Sequence, residues 1–262
     1  MGQTEAPLIV KPYLAGMTHS ELMALMVGGM ATIAGGVAAA YASLGIDAGH
    51  LLTASLLSAP GTLVIAKLMF PETEKSATAN EACELPRSPA TNSIDALCQG
   101  AADGMRLSIN VIAMLIAFIA MVYLANALLA WALSWTDWTI TIQEAVGWLN
   151  VPFAFMMGVP ADECLRVGTV LGERVVLNEF VGFLSLSNMT TGEGALSERT
   201  VTIATFALCG FANFASVAIQ IGGISTLVPE RRPDLAKLGL RAMVGGLLAC
   251  YLTASVAGLL MR

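Results

Sequence analysis

Charge is what this sequence has least of. Only 12% of its 262 residues are Asp, Glu, Lys or Arg, against about 25% in a typical soluble domain. With 56% hydrophobic residues and a mean hydropathy of +0.73, the composition excludes a soluble globule of this length and reads as an all-α integral membrane protein. Basic residues are scarcer still, 13 against 19 acidic, and nowhere clustered enough to neutralise phosphates, so nucleic acid is excluded as a partner. The five cysteines, at 83, 98, 164, 209 and 250, include no CxxC pair and no metal-ligand spacing. Their odd number cannot close a full set of disulfides, and they read as small apolar fillers. A secretory signal is missing too: MGQTEAPLIV has no basic stretch leading into an apolar run. It is a poor opening for a membrane domain, which raises the expectation that further sequence precedes it.

What is abundant is apolar sequence, and its lengths suggest how it is used. Residues 2–18 carry an apolar stretch between Glu5 and Pro12, far below the roughly 20 residues a spanning helix requires, so they fit half of a re-entrant hairpin. Thr18 or Ser20 then caps a helix running to about residue 44, with Glu21 favourable in its first turn. Gly28, Gly29, Gly35 and Gly36 flank Ala31-Thr32-Ile33, where the backbone is free to unwind. A second spanning helix follows over 50–70, with Pro60-Gly61 as a kink. Residues 71–93 are rich in Pro, Ser, Thr, Asn and charge and read as a solvated linker. The longest uninterrupted apolar run lies within 94–133 and ends on Trp131, Trp135 and Trp138, as aromatics do at a membrane interface.

Residues 141–160 are amphipathic and are expected to lie along the interface, halted by Pro152 and Pro160. Two short apolar arms follow around Gly172-Glu173-Arg174 and suggest a second re-entrant hairpin. A spanning helix over 200–226, broken by Gly210, Gly222 and Gly223, and a last one over 234–261 complete the chain. The expected organisation is 1–70 as a partial first hairpin with two spanning helices, 71–93 as a cytoplasmic linker, 94–160 as a spanning and an interfacial helix, and 161–262 as a second hairpin with two spanning helices. Placing 71–93 and the PERRPD turn on one side gathers Lys11, Lys67, Lys75, Arg87, Arg106, Arg231, Arg232, Lys237 and Arg241 there. By the positive-inside rule that side is the cytoplasm.

Against this background Asn178, Glu179, Asn213 and Ser216 stand out, because all four lie inside apolar sequence. An ionisable group in a bilayer costs roughly 2.5–3.5 kcal/mol or more, which makes Glu179 a functional-site candidate by default. The chain also repeats a plan: a short hairpin carrying a polar-Glu element, a glycine-interrupted helix, then a continuous helix. The first unit is GQTEAP, GGMATIAGGVAAA and 50–70; the second is VVLNEFV, CGFANFASVAIQIGG and 234–261. One spanning helix between them inverts their orientation, and inverted repeats with discontinuous helices point to a secondary transporter with a midplane site. Other uses remain open: Glu179 could pair with Arg174, Asn213 and Ser216 could cap an unwound helix, and Phe211 and Val37 could be core. Gln3, Thr4 and Glu5 could be a polar chain end. Asn110 suits an interhelical hydrogen bond, and His19 and His50 sit at helix starts.

The motifs GQTEAPLIVKPYL, GGxATIAGG, APGTLVIAKLMFPETE, VLNEFVGF and ALCGFANFASVAIQIGG together resemble the concentrative nucleoside transporters, over essentially the whole chain. The resemblance implies a homotrimer in the cell membrane that imports nucleosides by symport with sodium or protons, with no other cofactor. Gln3, Thr4 and Glu5 would face the nucleobase, with Val37 packing against it. Glu179, Asn213 and Ser216 would hold the ribose hydroxyls, with Phe211 bordering the pocket. Thr32, by hydroxyl or carbonyl, and Ile33, by carbonyl, match the family's sodium positions. Three departures are that the family usually has Ser where Thr32 stands, that its other sodium ligands precede the GQTE element, and that it often has a second Ser where Ala215 stands. The family would also carry about three spanning helices before GQTE, so the chain is expected to be a fragment lacking that scaffold and unable to transport by itself. The rival readings are an intramembrane enzyme using Glu5 and Glu179 as acid and base, and an inactive truncated membrane protein.

Overall fold

In the computed structural model, which describes residues 2–76, 90–136, 140–192 and 194–261, every regular element among the described residues is helical. Most of the 71–93 linker and Trp138 lie outside that range, as does the side chain of Asn110. The order is α1 (Ala6–Ile9), a 3-10 turn (Lys11–Gly16), α2 (His19–Ala31), α3 (Gly35–Ser43), α4 (Ala48–Met69), α5 (Ser93–Ala132), α6 (Ile142–Met156), α7 (Cys164–Val176), α8 (Glu179–Asn188), α9 (Glu198–Leu208), α10 (Phe214–Leu227), a 3-10 turn (Pro229–Arg231) and α11 (Arg232–Leu260). Among the described residues three stretches are long and apolar enough to cross a membrane: His19–Ser43, Ala48–Met69 and Pro229–Leu260. Ile116–Ala132 and Phe214–Leu227 are shorter apolar helices.

Helix boundaries follow side-chain chemistry. Thr18 and Glu21 form a reciprocal capping box at the start of α2, so the expected cap is present. Both expected helix breaks exist. Between α2 and α3 the chain is extended at Thr32 and Ala34. Between α9 and α10 it leaves the helix at Cys209 and re-enters at Asn213, so this break falls at Gly210, while Gly222 and Gly223 stay inside α10.

Two local expectations are corrected. The turn between the two short apolar arms lies at Leu177 and Asn178, and Gly172-Glu173-Arg174 belong to the last turns of α7. Asn178 decides this, because its side chain accepts the Val181 N–H and so starts a new helix. Pro152 sits inside α6 and does not halt it; the helix ends at Met157, before Gly158 at a φ of +93°. The next helix, α7, lies directly against α6. The two pack antiparallel through a seam of Gly147, Gly168 and Gly172, where a Cβ on Gly147 would lie 3.0 Å from Thr169 Cα and 3.2 Å from the Gly168 carbonyl. The helix α6 continues through Pro152 despite the cost of about 3 kcal/mol for a proline in a helix interior. Pro60 is likewise carried within α4.

The core has two lobes threaded by α11. One lobe gathers Leu14, Met23, Met26, Ile224, Leu235 and Leu238 around α2, α10 and the first half of α11. The other gathers Tyr41, Leu51, Leu171, Phe183, Ile203, Phe206 and Ala254 around α3, α4, α7, α8, α9 and the second half of α11. A small cluster of Ala31, Ala249 and Cys250 joins the lobes, at the level of both helix breaks.

Arginines gather the backbone carbonyls that segment ends leave without intrahelical partners. Arg231 donates to Leu14 (3.2 Å), Ala15 (3.1 Å) and Met17 (2.7 Å) and pairs with Asp234 at 2.9 Å. Arg199 donates to Gly258 at 2.6 Å and to Met261, tying α9 to the end of α11. Glu163 takes the Ser197 N–H at 2.8 Å and the Ser197 hydroxyl at 2.9 Å, joining α7 to the cap of α9. Burial pushes this carboxyl up, but the bonds from Thr200 and Ser197 outweigh it and hold it below its ordinary 4.5. A depressed carboxylate adds stability that is present above the ordinary value and lost as pH falls through the folded one. The thermal midpoint of the purified protein should therefore fall on acidification below about 4.5, and Glu163→Gln should shrink that fall. An unchanged acid limb in Glu163→Gln would refute this role.

Candidate functional site

Glu179 is the first residue of α8, is 7% exposed and lies where three segments meet. Its Oε1 accepts from the Tyr41 hydroxyl of α3 at 3.1 Å, and its Oε2 accepts from Asn213 Nδ2 at 2.9 Å. Asn213 is the N-cap of α10, with its Oδ1 taking the Ser216 N–H at 2.8 Å. That bond fixes the amide, so Nδ2 can only face the carboxylate. Two helix N-termini, those of α8 and α10, thus converge on one carboxylate, an arrangement that favours negative charge. Carboxylate oxygens offer about four acceptor positions, so Glu179 keeps capacity for donors from outside the protein.

The N-terminal segment reaches this site through Gln3. Its Nε2 donates to the Ser216 hydroxyl at 3.0 Å, and Gln3 is 8% exposed. Thr4 beside it is half-buried and Glu5 is exposed; the Glu5 carboxylate folds back to accept the Gly2 N–H at 2.8 Å. Gly29 lets α2 come close: a Cβ there would lie 2.5 Å from Gln220 Nε2 and 3.3 Å from Gln3 Cα. Phe211 and Ile33 belong to the core lobe that contains Tyr41, and Val37 packs against it. Thr32 donates its hydroxyl hydrogen to the Gly28 carbonyl at 3.0 Å.

Direct bonds therefore unite Gln3, Ser216, Asn213 and Glu179, drawn from residues up to 213 apart in sequence. Asn213 caps α10 by accepting the Ser216 N–H, so of the two residues read as possible caps only Asn213 is one, and the same Asn213 amide also holds Glu179. The ion pair between Glu179 and Arg174 is not formed. Arg174 instead donates to the carbonyls of Ala207 and Gly210, while Glu179 is held by neutral donors.

Two residues were missed in the sequence. Tyr41 stacks on Phe183 at a centroid distance of 4.2 Å and bonds Glu179. Its signal was spacing, since it is the polar-tipped aromatic one turn beyond Val37 in an otherwise small-residue helix. Gln220 lies one turn beyond Ser216, is 1% exposed, and donates to the Met26 carbonyl at 3.1 Å. An amide inside IQIGG was visible and went unread.

Apolar helices, two of them interrupted, around a buried carboxylate define a helical membrane protein with an internal polar site. The chain belongs to the sodium-dependent nucleoside transporter family, since residues 50–258 match the family profile described as "Na+ dependent nucleoside transporter C-terminus". It is 43% identical over 261 residues to the uncharacterized transporter YutK of Bacillus subtilis, covering 99% of this chain and 64% of that protein. It is 41% identical over 274 residues to sodium/nucleoside cotransporter 2 of Rattus norvegicus, covering 99% and 42%. The solved structure of CNTnw in an inward-facing substrate-bound state superposes with a TM-score of 0.80 at 42% identity, covering 99% and 62%. The chain thus spans less than two thirds of the length of each of these three proteins. They carry transporter names, which leaves the reading of Glu5 and Glu179 as an enzymatic acid and base without support.

Proposed function

We propose that the full-length protein imports nucleosides across the cell membrane by symport with sodium, as a multi-pass homotrimer built on an inverted repeat with two re-entrant hairpins. The observation that carries this is the buried carboxylate of Glu179 at the convergence of two helix N-termini, in a chain of this family. Vicinal ribose hydroxyls would donate to Glu179, the kind of charge-assisted bond that outlasts loss of hydration. Asn213 keeps that carboxylate in place. Gln3, Thr4 and Glu5 would answer the nucleobase edge with amide, hydroxyl and carboxylate, and Val37 and Phe211 would wall the pocket. The cation would sit at the α2–α3 break. The Thr32 oxygen spends its hydrogen on Gly28 and keeps lone pairs free, and a hard cation prefers such oxygens together with unwound carbonyls such as that of Ile33.

The test is uptake of labelled uridine and adenosine into proteoliposomes containing the full reading frame, with and without an inward sodium gradient. Accumulation above the equilibrium level only with the gradient is expected. Equal uptake in both conditions would overturn symport. Ser216→Ala supplies a finer check. It leaves the Asn213 cap intact, because that bond uses the Ser216 backbone N–H, but it strips Gln3 Nε2 of its buried partner. An unpaired buried group costs about 1–3 kcal/mol, so the uridine KM should rise about 5-fold to 150-fold. An unchanged KM would remove Gln3 and Ser216 from the site.

A further inference from the structure

Each helix break leaves a C-terminus whose last carbonyls have no intrahelical partner. Here those ends are buried: Ala31 at the end of α2 and Ala207 at the end of α9 are both 0% exposed, and Cys209 is 1% exposed. They also meet. A Cβ on Gly210 would lie 2.7 Å from the Met30 carbonyl, 2.9 Å from the Ala31 carbonyl carbon and 2.7 Å from Cys250 Sγ. Gly246 of α11 completes the seam, with a Cβ position 2.8 Å from Met30 Cβ and 3.2 Å from Ala212 Cβ. The two interrupted segments are thus pressed together, backbone on backbone, against one face of α11.

A fully buried guanidinium occupies this meeting point. Arg174 of α7 donates to the Ala207 carbonyl, to the Gly210 carbonyl at 3.3 Å and to Cys250 Sγ at 3.1 Å. Its Nε has no partner, so one donor is held in reserve. The Cys250 thiol has two candidate acceptors, the Cys209 carbonyl at 3.5 Å and the Ala31 carbonyl at 3.8 Å. It carries one hydrogen, so at any instant it satisfies one break and leaves the other to find a different donor. One step along the chain from Ala31 is Thr32, and one step from Gly210 is Phe211, with Asn213 two further on.

We propose that Arg174 and Cys250 form the junction that couples the α2–α3 break to the α9–α10 break, so that occupancy of one segment biases the other. The inference rests on the function proposed above, in which the first segment takes sodium and the second takes nucleoside. Thiol and guanidinium act as positioning groups. They touch neither ligand, and they distribute donors between two sets of carbonyls that both ligands pull on. A coupling free energy is reciprocal, so it is read as the same factor in either direction.

The experiment measures the dissociation constant of uridine for the full-length protein by titration calorimetry at low and at saturating sodium. A wild-type ratio on the order of 5 to 150 is the range of ordinary allosteric coupling. Cys250→Ala should pull the ratio toward one, by fivefold or to unity where the starting ratio is smaller, in protein that still shows a cooperative thermal transition. Cys250→Ser keeps a donor and an acceptor and should retain most of the ratio, and Arg174→Lys should retain part of it. A purely structural thiol would change stability and leave the ratio untouched, so a wild-type ratio in Cys250→Ala overturns the junction. A wild-type protein whose uridine affinity ignores sodium would instead overturn the symport reading, and the junction would fall with it.

Discussion

Replacing Glu179 by glutamine should lower kcat/KM for nucleoside uptake about 100-fold or more while leaving the protein folded. The carboxylate now accepts from the Tyr41 hydroxyl and from Asn213 Nδ2. A glutamine would have to aim its oxygen at Asn213, whose amide is locked by the cap it makes to Ser216. Its NH2 would then face Tyr41, whose hydroxyl rotates to accept. The internal contacts survive, and the burial cost of a charge disappears, so the thermal midpoint should hold or rise. What is lost is the anionic acceptor proposed for the ribose hydroxyls. Two charge-assisted bonds reduced to one neutral acceptor cost about 3 kcal/mol, and each 1.4 kcal/mol is a factor of ten. Uptake and a melting curve on the same preparation decide the matter. Wild-type uptake in a folded variant would remove Glu179 from the binding site.

Gly172→Ala should lower the thermal midpoint by about 6–12 °C, at roughly 2–4 °C per kcal/mol and about 3 kcal/mol of overpacking. A Cβ on Gly172 would overlap the Gln143 carbonyl and lie 2.5 Å from Gly147 N and 2.6 Å from Gly147 Cα. All three are backbone atoms and cannot rotate away, so α6 and α7 must separate along the whole seam. Arg174 lies two residues on, so uptake should fall with stability. Gly100→Ala in α5, where a Cβ would meet nothing within 4 Å, is the control. It should gain about 0.5–1 kcal/mol from helix propensity. Equal midpoints for the two variants would show that the seam carries no stability.

Much of the candidate site was legible because a bilayer sets a severe standard for polar residues. Glu179, Asn213 and Ser216 stood out as polar residues in apolar sequence, and glycine flanks marked where α2 would unwind. Gln3 was legible through the repeat and the family motif, because three polar residues near a chain end resemble any solvated terminus. The hairpin turn was misplaced because Gly172-Glu173-Arg174 looks like turn chemistry. The glycine serves helix contact, and the turn falls where Asn178 can cap a new helix. Pro152 does not end α6 because a proline raises the local cost of a helix without setting where the helix stops.

Sequence alone determined the helical membrane class, the two breaks and the residue types the site would use, since these follow from local composition and from the price of unpaired polar groups in apolar surroundings. Tertiary structure decided the partners. Whether Glu179 would meet Arg174 or Tyr41 and Asn213 depends on how α3, α7, α8 and α10 pack, and no periodicity along the chain encodes that. The same packing places Arg174 among the carbonyls of the α9–α10 break and sets both breaks against Cys250, because glycines at 210 and 246 let backbones approach where any side chain would hold them apart.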